Sequence, residues 1–332
     1  MTNPISRRLA FSLAGALALC VTMNPALAQD DWPGRTLTLI VPFSAGGSAD
    51  RVARNLAPFL EEELGTSIVV ENKPGASGQV GTMQMLARPA DGNTVLLNAQ
   101  PYFSASIVLQ GAPYSLADLE ALNVQNVGNI SVTVKADAPY ETFADLDAAI
   151  KENPGGISVG TVRGGGSHLL TLLLRDELGW DVRIVTYDSG APVRTALLGG
   201  QIDFSLNGAV SDAAMKPEVR SLGLSTSQKI AAFPDAPYFN DLPTVADQGI
   251  TLPETGDIRF LAVKAGTQVE YPERFEKLRA AYEAVLNNPD YVGILETQGE
   301  AEETAYRGPE DSTRILTEAD ELMRNYADAF GK

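Results

Sequence analysis

Apolar and polar segments alternate along the chain in a way that predicts two successive α/β units. Short apolar runs rich in β-branched residues are each followed by a segment with helical spacing of apolar positions. The predicted strands are 37–41, 68–70, 94–97, 130–134, 157–159, 182–187 and 202–204. Strands that alternate with helices are typical of parallel sheets covered by helices, so the sequence predicts an α/β fold.

The end of the chain predicts a return to the first unit. A strand at 258–263 is followed mainly by helical patterns, including one at 309–330. These helices need a sheet to cover, and the simplest topology packs them on the first lobe. We therefore expect residues 29–126 and 254–332 to form lobe 1 and residues 127–253 to form lobe 2.

The first 28 residues have the pattern of a secretory signal peptide. Arg7 and Arg8 precede an apolar run at 9–21, and the small-x-small sequence at 26–28 predicts cleavage after Ala28. The run is too short to be a permanent membrane span. Two alternatives stay open: a lipoprotein box at Cys20 and twin-arginine export. Cleavage after Ala28 predicts a periplasmic protein that begins at Gln29.

Composition excludes several classes of site and partner. The chain has 25 basic and 42 acidic residues and a net charge of −17, which argues against nucleic acid and anionic membranes as partners. Its one cysteine, Cys20, lies in the predicted signal peptide, so the mature protein can form no disulfide. His168 is the only histidine, which excludes a structural zinc site. We expect neither a metal nor a cofactor.

Two glycine-rich loops are the candidate binding elements. Gly46-Gly47-Ser48 and 164–167 each follow a predicted strand and open a predicted helix. The free N–H groups and the dipole at a helix start favour an anion, and glycine lets a ligand approach the backbone. Because parallel strands place their carboxyl ends at one edge, the two loops could hold a carboxylate together. The alternative is that both loops are only tight turns.

Several segments carry a resemblance to a known family. They are Trp32-Pro33, 40–48 with Asp50, 70–76 with Gly78 and Gly81, Asp91-Gly92, 166–169, Tyr187 with Gly190, 200–203, and 242–244 with Gly249. Together they resemble the Bug or TctC-like proteins, the periplasmic solute-binding subunits of tripartite tricarboxylate transporters. The resemblance is strongest over 32–97, weaker to 249 and faint beyond it.

This resemblance implies a type II periplasmic-binding fold, with two α/β lobes joined by two crossing strands and a ligand cleft between them. It also implies a small organic carboxylate in the cleft, delivered to the membrane permease subunits of the transporter. The residues implied to bind the ligand come from three loops: Phe43, Ser44, Ala45, Gly46, Gly47, Ser48 and Asp50; Gly166, Ser167 and His168; and 187–190.

Some residues of this chain change what the resemblance implies. Family members usually have residues between the loop serine and the histidine, whereas Ser167 and His168 are adjacent here. His168 therefore either contacts ligand or makes a structural hydrogen bond at the helix start. Arg163 could bind a second carboxylate, or lie on the surface. Asp188 would repel an anion unless it accepts from a ligand hydroxyl or amine, and Asp50 could instead cap its helix.

Further candidates come from the strand ending at Asn98. Gln100 and Ser104 follow it and are candidates for the cleft, and Gly190 completes the third loop.

Two other functions compete with the solute-binding hypothesis. A secreted hydrolase would need a nucleophile and a base, but the chain has no G-x-S-x-G motif and only His168 could serve as an imidazole base. A ligand-binding partner of a membrane sensor would use the same two lobes. The sequence does not separate a mono- from a dicarboxylate ligand, and we expect a monomer.

Overall fold

The computed structural model describes residues 32–34, 36–225, 242–252, 256–301 and 303–330. The predicted signal peptide at 1–28, with Cys20 and the cleavage position, lies outside these described residues. None of the helices within them is long and apolar enough to cross a membrane.

The first sheet has five strands in the order β2-β1-β3-β10-β4. Its strands are β1 (Thr36–Val41), β2 (Ser67–Asn72), β3 (Thr94–Gln100), β4 (Leu119–Gly128) and β10 (Asp257–Lys264). The helices of this unit are α1 (Ser48–Leu64), α2 (Gln79–Leu86), α3 (Tyr102–Gln110), α8 (Thr267–Glu270), α9 (Pro272–Leu286), α10 (Pro289–Gln298) and α11 (Gly308–Asn325).

The second sheet also has five strands, in the order β7-β6-β8-β5-β9. Its strands are β5 (Ile130–Lys135), β6 (Ser158–Val162), β7 (Arg183–Tyr187), β8 (Phe204–Gly208) and β9 (Val219–Leu224). Its helices are α4 (Phe143–Glu152), α5 (Gly166–Leu178), α6 (Gly190–Leu198) and α7 (Ala209–Ala213). The predicted architecture of two α/β lobes is confirmed, and the lobe limits inferred from the sequence remain a proposal.

Both sheets are mixed, whereas the strand–helix alternation predicted parallel sheets. β1, β2 and β3 are parallel, but β10 runs antiparallel to both β3 and β4. In the second sheet, β5 is antiparallel to its neighbours β8 and β9. The antiparallel strands are the ones next to the crossings between lobes, where the chain enters each sheet from the other lobe and not through a covering helix.

One buried strand was hidden from the apolar pattern, and another begins later than predicted. β4 is interrupted by amides, and it is stable in the core because those amides have partners: Gln125 donates to the Tyr291 hydroxyl (3.1 Å), and Asn123 accepts the N–H of Arg307 (2.6 Å). β8 begins at Phe204, later than the predicted strand at 202–204, because the Asp203 carboxylate turns back to accept the N–H of Ser158 (2.7 Å).

The core of the second lobe forms around Trp180. The indole stacks on Phe143 with ring centroids 5.6 Å apart, and it meets Phe204 edge-on at 5.9 Å. Its N–H donates to Asp147 (2.8 Å), so the polar atom of this buried ring is satisfied. This core fixes α4 on the second sheet.

The two crossings between the sheets run side by side. The chain leaves β4 at Gly128 and enters β5 at Ile130, and it returns into β10 at Asp257, which pairs with Gly128. Gly256 and Gly128 approach so closely that a Cβ on Gly256 would lie 2.0 Å from the Gly128 carbonyl oxygen. Glycine is therefore required where the crossings touch.

Candidate functional site

The first glycine-rich loop connects β1 to α1. Residues 44–47 are exposed, and no side chain in the described structure caps the start of α1. The Asp50 carboxylate accepts the N–H of Gly46 (2.8 Å) and a hydrogen bond from Arg54 Nε (3.0 Å). Burial raises the pKa of Asp50, but these hydrogen bonds outweigh it and the net pKa is lowered. Asp50 thus holds the loop from behind in its ionised form.

The second loop leads from β6 into α5. Residues 164–168 are buried, and the N-cap residue of this helix, Gly165, has no side chain to cap its start. The Ser167 hydroxyl accepts the N–H of Val162 (3.0 Å) and bonds to Thr161 (2.8 Å). Ser167, one of the residues implied to bind the ligand, therefore fixes the shape of the loop through its hydroxyl. Arg163, just before the loop, is exposed.

His168 makes the structural hydrogen bond that was one of its two expected roles. Its Nδ1 accepts the N–H of Gly164 (3.4 Å), and its ring meets Phe330 edge-on at 4.6 Å. Burial, followed by the charges of Arg163 and Arg175, lowers its pKa to about 4. The imidazole is neutral at pH 7 and holds the second loop together.

We expect His168 to make stability depend on pH. Its folded-state pKa of about 4 lies below the ordinary 6.5, so the unfolded chain takes up the proton first as pH falls. The free energy of unfolding should then fall by up to about 3 kcal/mol between pH 6.5 and pH 4. Urea unfolding of wild type and His168→Gln across this range measures it. Both proteins keep every other titrating group, so curves that stay parallel would contradict the assignment.

The third loop is backed by a buried polar cluster. Asp188 is exposed, whereas Asn207 donates to the Gly190 carbonyl at the start of α6 (3.2 Å) and to Asp212 (3.2 Å). Burial raises the pKa of Asp212 to about 6, against hydrogen bonds that include Ser131 and the charge of Arg194. Asp212 and Asn207 support this loop from inside the lobe, and neither was predicted from the sequence.

Gln100 and Ser104 bond to each other. The Gln100 amide donates to the Ser104 hydroxyl (2.8 Å) and accepts the N–H of Ser104 (3.1 Å), and Ser104 also donates to Asp320 (2.5 Å). Both side chains are fully buried. Their hydrogen bonds fix the start of α3, which places Tyr102.

Three side chains, Tyr102, Asp257 and Arg259, join the first and second loops, and we refer to them as the crossover cluster. The Tyr102 ring meets Phe43 of the first loop at 5.8 Å and packs against the apolar cluster of the second lobe that contains Val162. The Tyr102 hydroxyl lies so close to the second loop that a Cβ on Gly165 would be 2.5 Å from it.

The other two members lie two residues apart on β10. Arg259 donates to the Ser48 hydroxyl at the start of α1 and to Asn126 (2.8 Å). Asp257 accepts the N–H of Gly166 at the start of α5, and burial raises its pKa against the opposing effects of Arg259 and that hydrogen bond. The crossover cluster therefore touches the helix starts of both lobes.

Ser167 and His168, although adjacent, each have a hydrogen-bond partner elsewhere in the second lobe. The Ser167 hydroxyl is bonded to Thr161, and His168 Nδ1 to Gly164, so the two adjacent residues do not form a nucleophile–base pair. Within the described residues, no three His, Cys, Asp or Glu side chains are grouped to bind a metal. Two helix starts with glycine-rich approaches remain as the chemical features of the site.

Comparison with known proteins identifies this architecture. The model of the tripartite tricarboxylate transporter family receptor, TctC, matches residues 52–324. The chain belongs to this receptor family. A UPF0065 protein of Agrobacterium vitis is 30% identical over 280 residues, which cover 82% of this chain and 78% of the relative.

Solved structures of TctC-like proteins share the fold. A TctC solute-binding protein from Polaromonas superposes with a TM-score of 0.75 at 26% identity, covering 90% of this chain and 99% of that one. An R. palustris protein solved with adipate gives a TM-score of 0.74 at 26% identity, covering 91% and 99% of the two chains. The family predicted from the opening segments is confirmed, and it is a family of solute-binding receptors.

The sequence contains one signal for the crossover cluster. β10 reads Asp-Ile-Arg-Phe-Leu-Ala-Val, an apolar strand with a polar residue at alternate positions of its first half. Period-two alternation puts Asp257 and Arg259 on one face. Opposite charges on a strand that is otherwise buried indicate a polar site. The pattern does not show which loops these two side chains face.

Proposed function

We propose that this TctC-family receptor is exported to the periplasm, captures a small organic carboxylate between its lobes and delivers it to a membrane permease. One observation carries the proposal. Two helices, one in each lobe, follow glycine-rich loops and have glycine as the N-cap residue, and both starts meet at the crossover cluster. Among the described helices, α4 and α10 show the contrast, since Thr142 and Asn288 cap their starts.

The local field explains how an acidic protein can bind an anion. The chain as a whole carries a net charge of −17, which repels anions at long range. At the start of α1 the helix dipole and Arg259 oppose that repulsion over a few ångströms. Screening by salt weakens the long-range repulsion more than these short-range contacts. Binding should therefore depend weakly on ionic strength.

Capture should work by lobe closure. A ligand that contacts both lobes stabilises the closed arrangement by its difference in affinity for the closed and open states. The membrane permease then binds the receptor in its closed state. We propose that the protein acts as a monomer, since delivery requires both lobes to be free to move, and that it is not an enzyme, since the binding loops carry no paired nucleophile and base.

A ligand screen on the protein beginning at Gln29 tests this function. Thermal unfolding would be followed with mono- and dicarboxylates, amino acids, sugars and phosphate, each in turn. A ligand present at about one hundred times its dissociation constant should raise the free energy of unfolding by about 2.7 kcal/mol. Stabilisation by carboxylates supports the proposal. A response to sugars or phosphate with none to carboxylates overturns it.

We expect Asp50→Ala to weaken carboxylate binding at least tenfold without unfolding the protein. The change releases Gly46 and Arg54, so the first loop loses the contact that fixes its shape. Loss of a cap-like interaction of this kind costs about 1 kcal/mol of stability. Calorimetric titration measures the affinity. Asp311→Ala, at an exposed position of α11, is the control, and equal affinities in the two variants would remove Asp50 from the site.

A further inference from the structure

Asp212 is a buried acid directly behind the third loop. Its side chain lies on α7 and is fully buried, and α7 contains no other charged residue. Its Oδ1 accepts the side-chain amide of Asn207 (3.2 Å), and the same amide nitrogen donates to the Gly190 carbonyl (3.2 Å). Two hydrogen bonds therefore connect the carboxyl group to the first residue of α6, which belongs to a loop implied to bind the ligand.

The hydrogen bonds around Asp212 fit its neutral form as well as its ionised form. Oδ1 accepts from the Asn207 amide nitrogen, which can only donate, in both forms. Oδ2 lies 3.1 Å from the Ser131 hydroxyl, which in turn lies 2.7 Å from the Thr133 hydroxyl. Because a hydroxyl can donate or accept, Ser131 donates to the carboxylate or accepts from the protonated acid. The cluster can therefore take up a proton without a change of partners.

Among the described residues, Arg194 on α6 is the charged group that acts on Asp212. Burial raises the pKa of Asp212 to about 6, against its hydrogen bonds and the charge of Arg194. On β9, the Arg220 guanidinium is held by two backbone carbonyls. Arg194 also lies at the helix start, since a Cβ on Gly190 would be 3.2 Å from its Nη1. The partners of Asp212 on β5 and β8 are uncharged: Ser131, Thr133 and Asn207.

A carboxylate bound at the third loop would change this balance of charges. Its negative charge disfavours a second negative charge behind the loop, and it competes for the Arg194 charge that stabilises ionised Asp212. Two unit charges about 10 Å apart alter each other's equilibria by roughly tenfold at the dielectric typical of protein sites. Both effects favour neutral Asp212 in the ligand-bound protein, and by reciprocity neutral Asp212 favours the ligand.

We propose that Asp212 is a proton-binding site coupled to the ligand site, so that the receptor takes up a proton there when a carboxylate binds and holds its ligand more tightly as the pH falls. This inference rests on the proposed carboxylate-binding function and adds a proton to what the receptor captures. The pKa of Asp212 in the free protein places the effect between pH 7.5 and pH 5.5. His168, with a pKa of about 4, stays neutral over that range.

Calorimetric titration of the wild-type protein measures both parts of the proposal. The probes are adipate, malate, succinate, pyruvate and benzoate, each at pH 5.5, 6.5 and 7.5. Titrations at pH 6.5 in MES and in imidazole, whose ionisation enthalpies differ, give the number of protons taken up. For the probes that bind, we expect roughly half a proton at pH 6.5 beyond the ligand's own uptake, and at least about fivefold tighter binding at pH 5.5 than at pH 7.5.

Two variants assign the proton to Asp212. Asp212→Asn imitates the neutral acid, since its amide oxygen accepts from Asn207 and its N–H₂ donates to Ser131. At pH 7.5 it should bind within about threefold of wild type at pH 5.5, and its proton uptake should fall to that of the ligand alone. Arg194→Gln removes a charge that lowers the pKa of Asp212, so the midpoint of the pH dependence should move to higher pH.

The control is Asp137→Asn, which neutralises an exposed aspartate of the second lobe and should keep the wild-type proton uptake. The ligand's own protonation is common to all of these proteins, so differences between them isolate Asp212.

The outcomes distinguish this inference from the function on which it rests. If no carboxylate binds wild-type protein, the proposed function fails and this inference with it. If carboxylates bind without proton uptake beyond their own, only the inference is overturned. Uptake that persists in Asp212→Asn also overturns it and points to Asp257 or Glu303, whose pKa values burial raises as well. If Asp212→Asn does not fold, an unmoved midpoint in Arg194→Gln overturns the inference.

Discussion

Replacing Gly256 by alanine should lower the free energy of unfolding by about 3 kcal/mol or more. The new Cβ would lie 2.0 Å from the Gly128 carbonyl oxygen, far inside the contact distance. Both groups belong to the backbones of the two crossings, so no side chain can turn aside to make room. Relief requires β10 and β4 to separate where Asp257 pairs with Gly128. Urea unfolding at neutral pH measures the loss.

The same substitution elsewhere in the chain provides the control. Gly293 lies within α10, and a Cβ there would meet nothing within 4 Å. Gly293→Ala should therefore stabilise the protein by roughly 0.5–1 kcal/mol, because alanine loses less backbone freedom in a helix. If Gly256→Ala is as stable as wild type, the crossings can separate at little cost. The tight contact would then place no constraint on lobe closure.

Truncating Glu303 to alanine should cost about 3–5 kcal/mol of stability. The carboxylate accepts the backbone N–H of Asn129 (2.8 Å), the Asn129 side-chain amide (3.0 Å) and the Asn126 side-chain amide (3.2 Å). Burial raises the pKa of Glu303, and these three donors oppose the shift. Alanine would leave all three donors unsatisfied in the interior, at about 1–3 kcal/mol for a buried group without a partner.

Glutamine at this position distinguishes hydrogen bonding from simple packing. Glu303→Gln keeps an oxygen for the two Asn129 donors but turns an amide N–H₂ towards Asn126, whose own oxygen is held by Arg259. We expect about 1–2 kcal/mol of destabilisation, less than half that of alanine. Glu296→Ala, at an exposed position of α10, should stay within about 0.5 kcal/mol of wild type. A wild-type stability for Glu303→Gln would point to packing alone, and equal losses for alanine and glutamine would point to the carboxylate charge.

These residues connect the crossings between the two sheets to the candidate binding loops. Glu303 holds Asn126 and Asn129 on the first crossing, Asn126 holds Arg259, and Arg259 reaches the start of α1. On the second crossing, Asp257 reaches the start of α5. A change at the crossings therefore displaces the contacts of both loops. We expect variants of Glu303 to lower ligand affinity as well as stability.

The sequence by itself determined the fold class, the family and the two loops. Apolar strands followed by amphipathic helices predict α/β units, and the glycines at 46–47 and 164–166 mark strand-to-helix turns wherever they lie in space. These features are local, because the spacing of apolar residues and the need for glycine are properties of a few consecutive positions. The opening segments also contained enough specific residues to indicate the receptor family.

Only the tertiary structure decided what each loop can do. Asp257 and Arg259 are about 90 residues from the nearer of the two loops in sequence, and the lobe crossing brings them to opposite helix starts. The resemblance implied Ser167 and His168 on a ligand-binding loop, with a structural hydrogen bond as the alternative for His168, and their polar atoms bond to Thr161 and Gly164. Hydrogen-bond partners and local charge depend on which distant segments pack together, and no spacing along the chain encodes that choice.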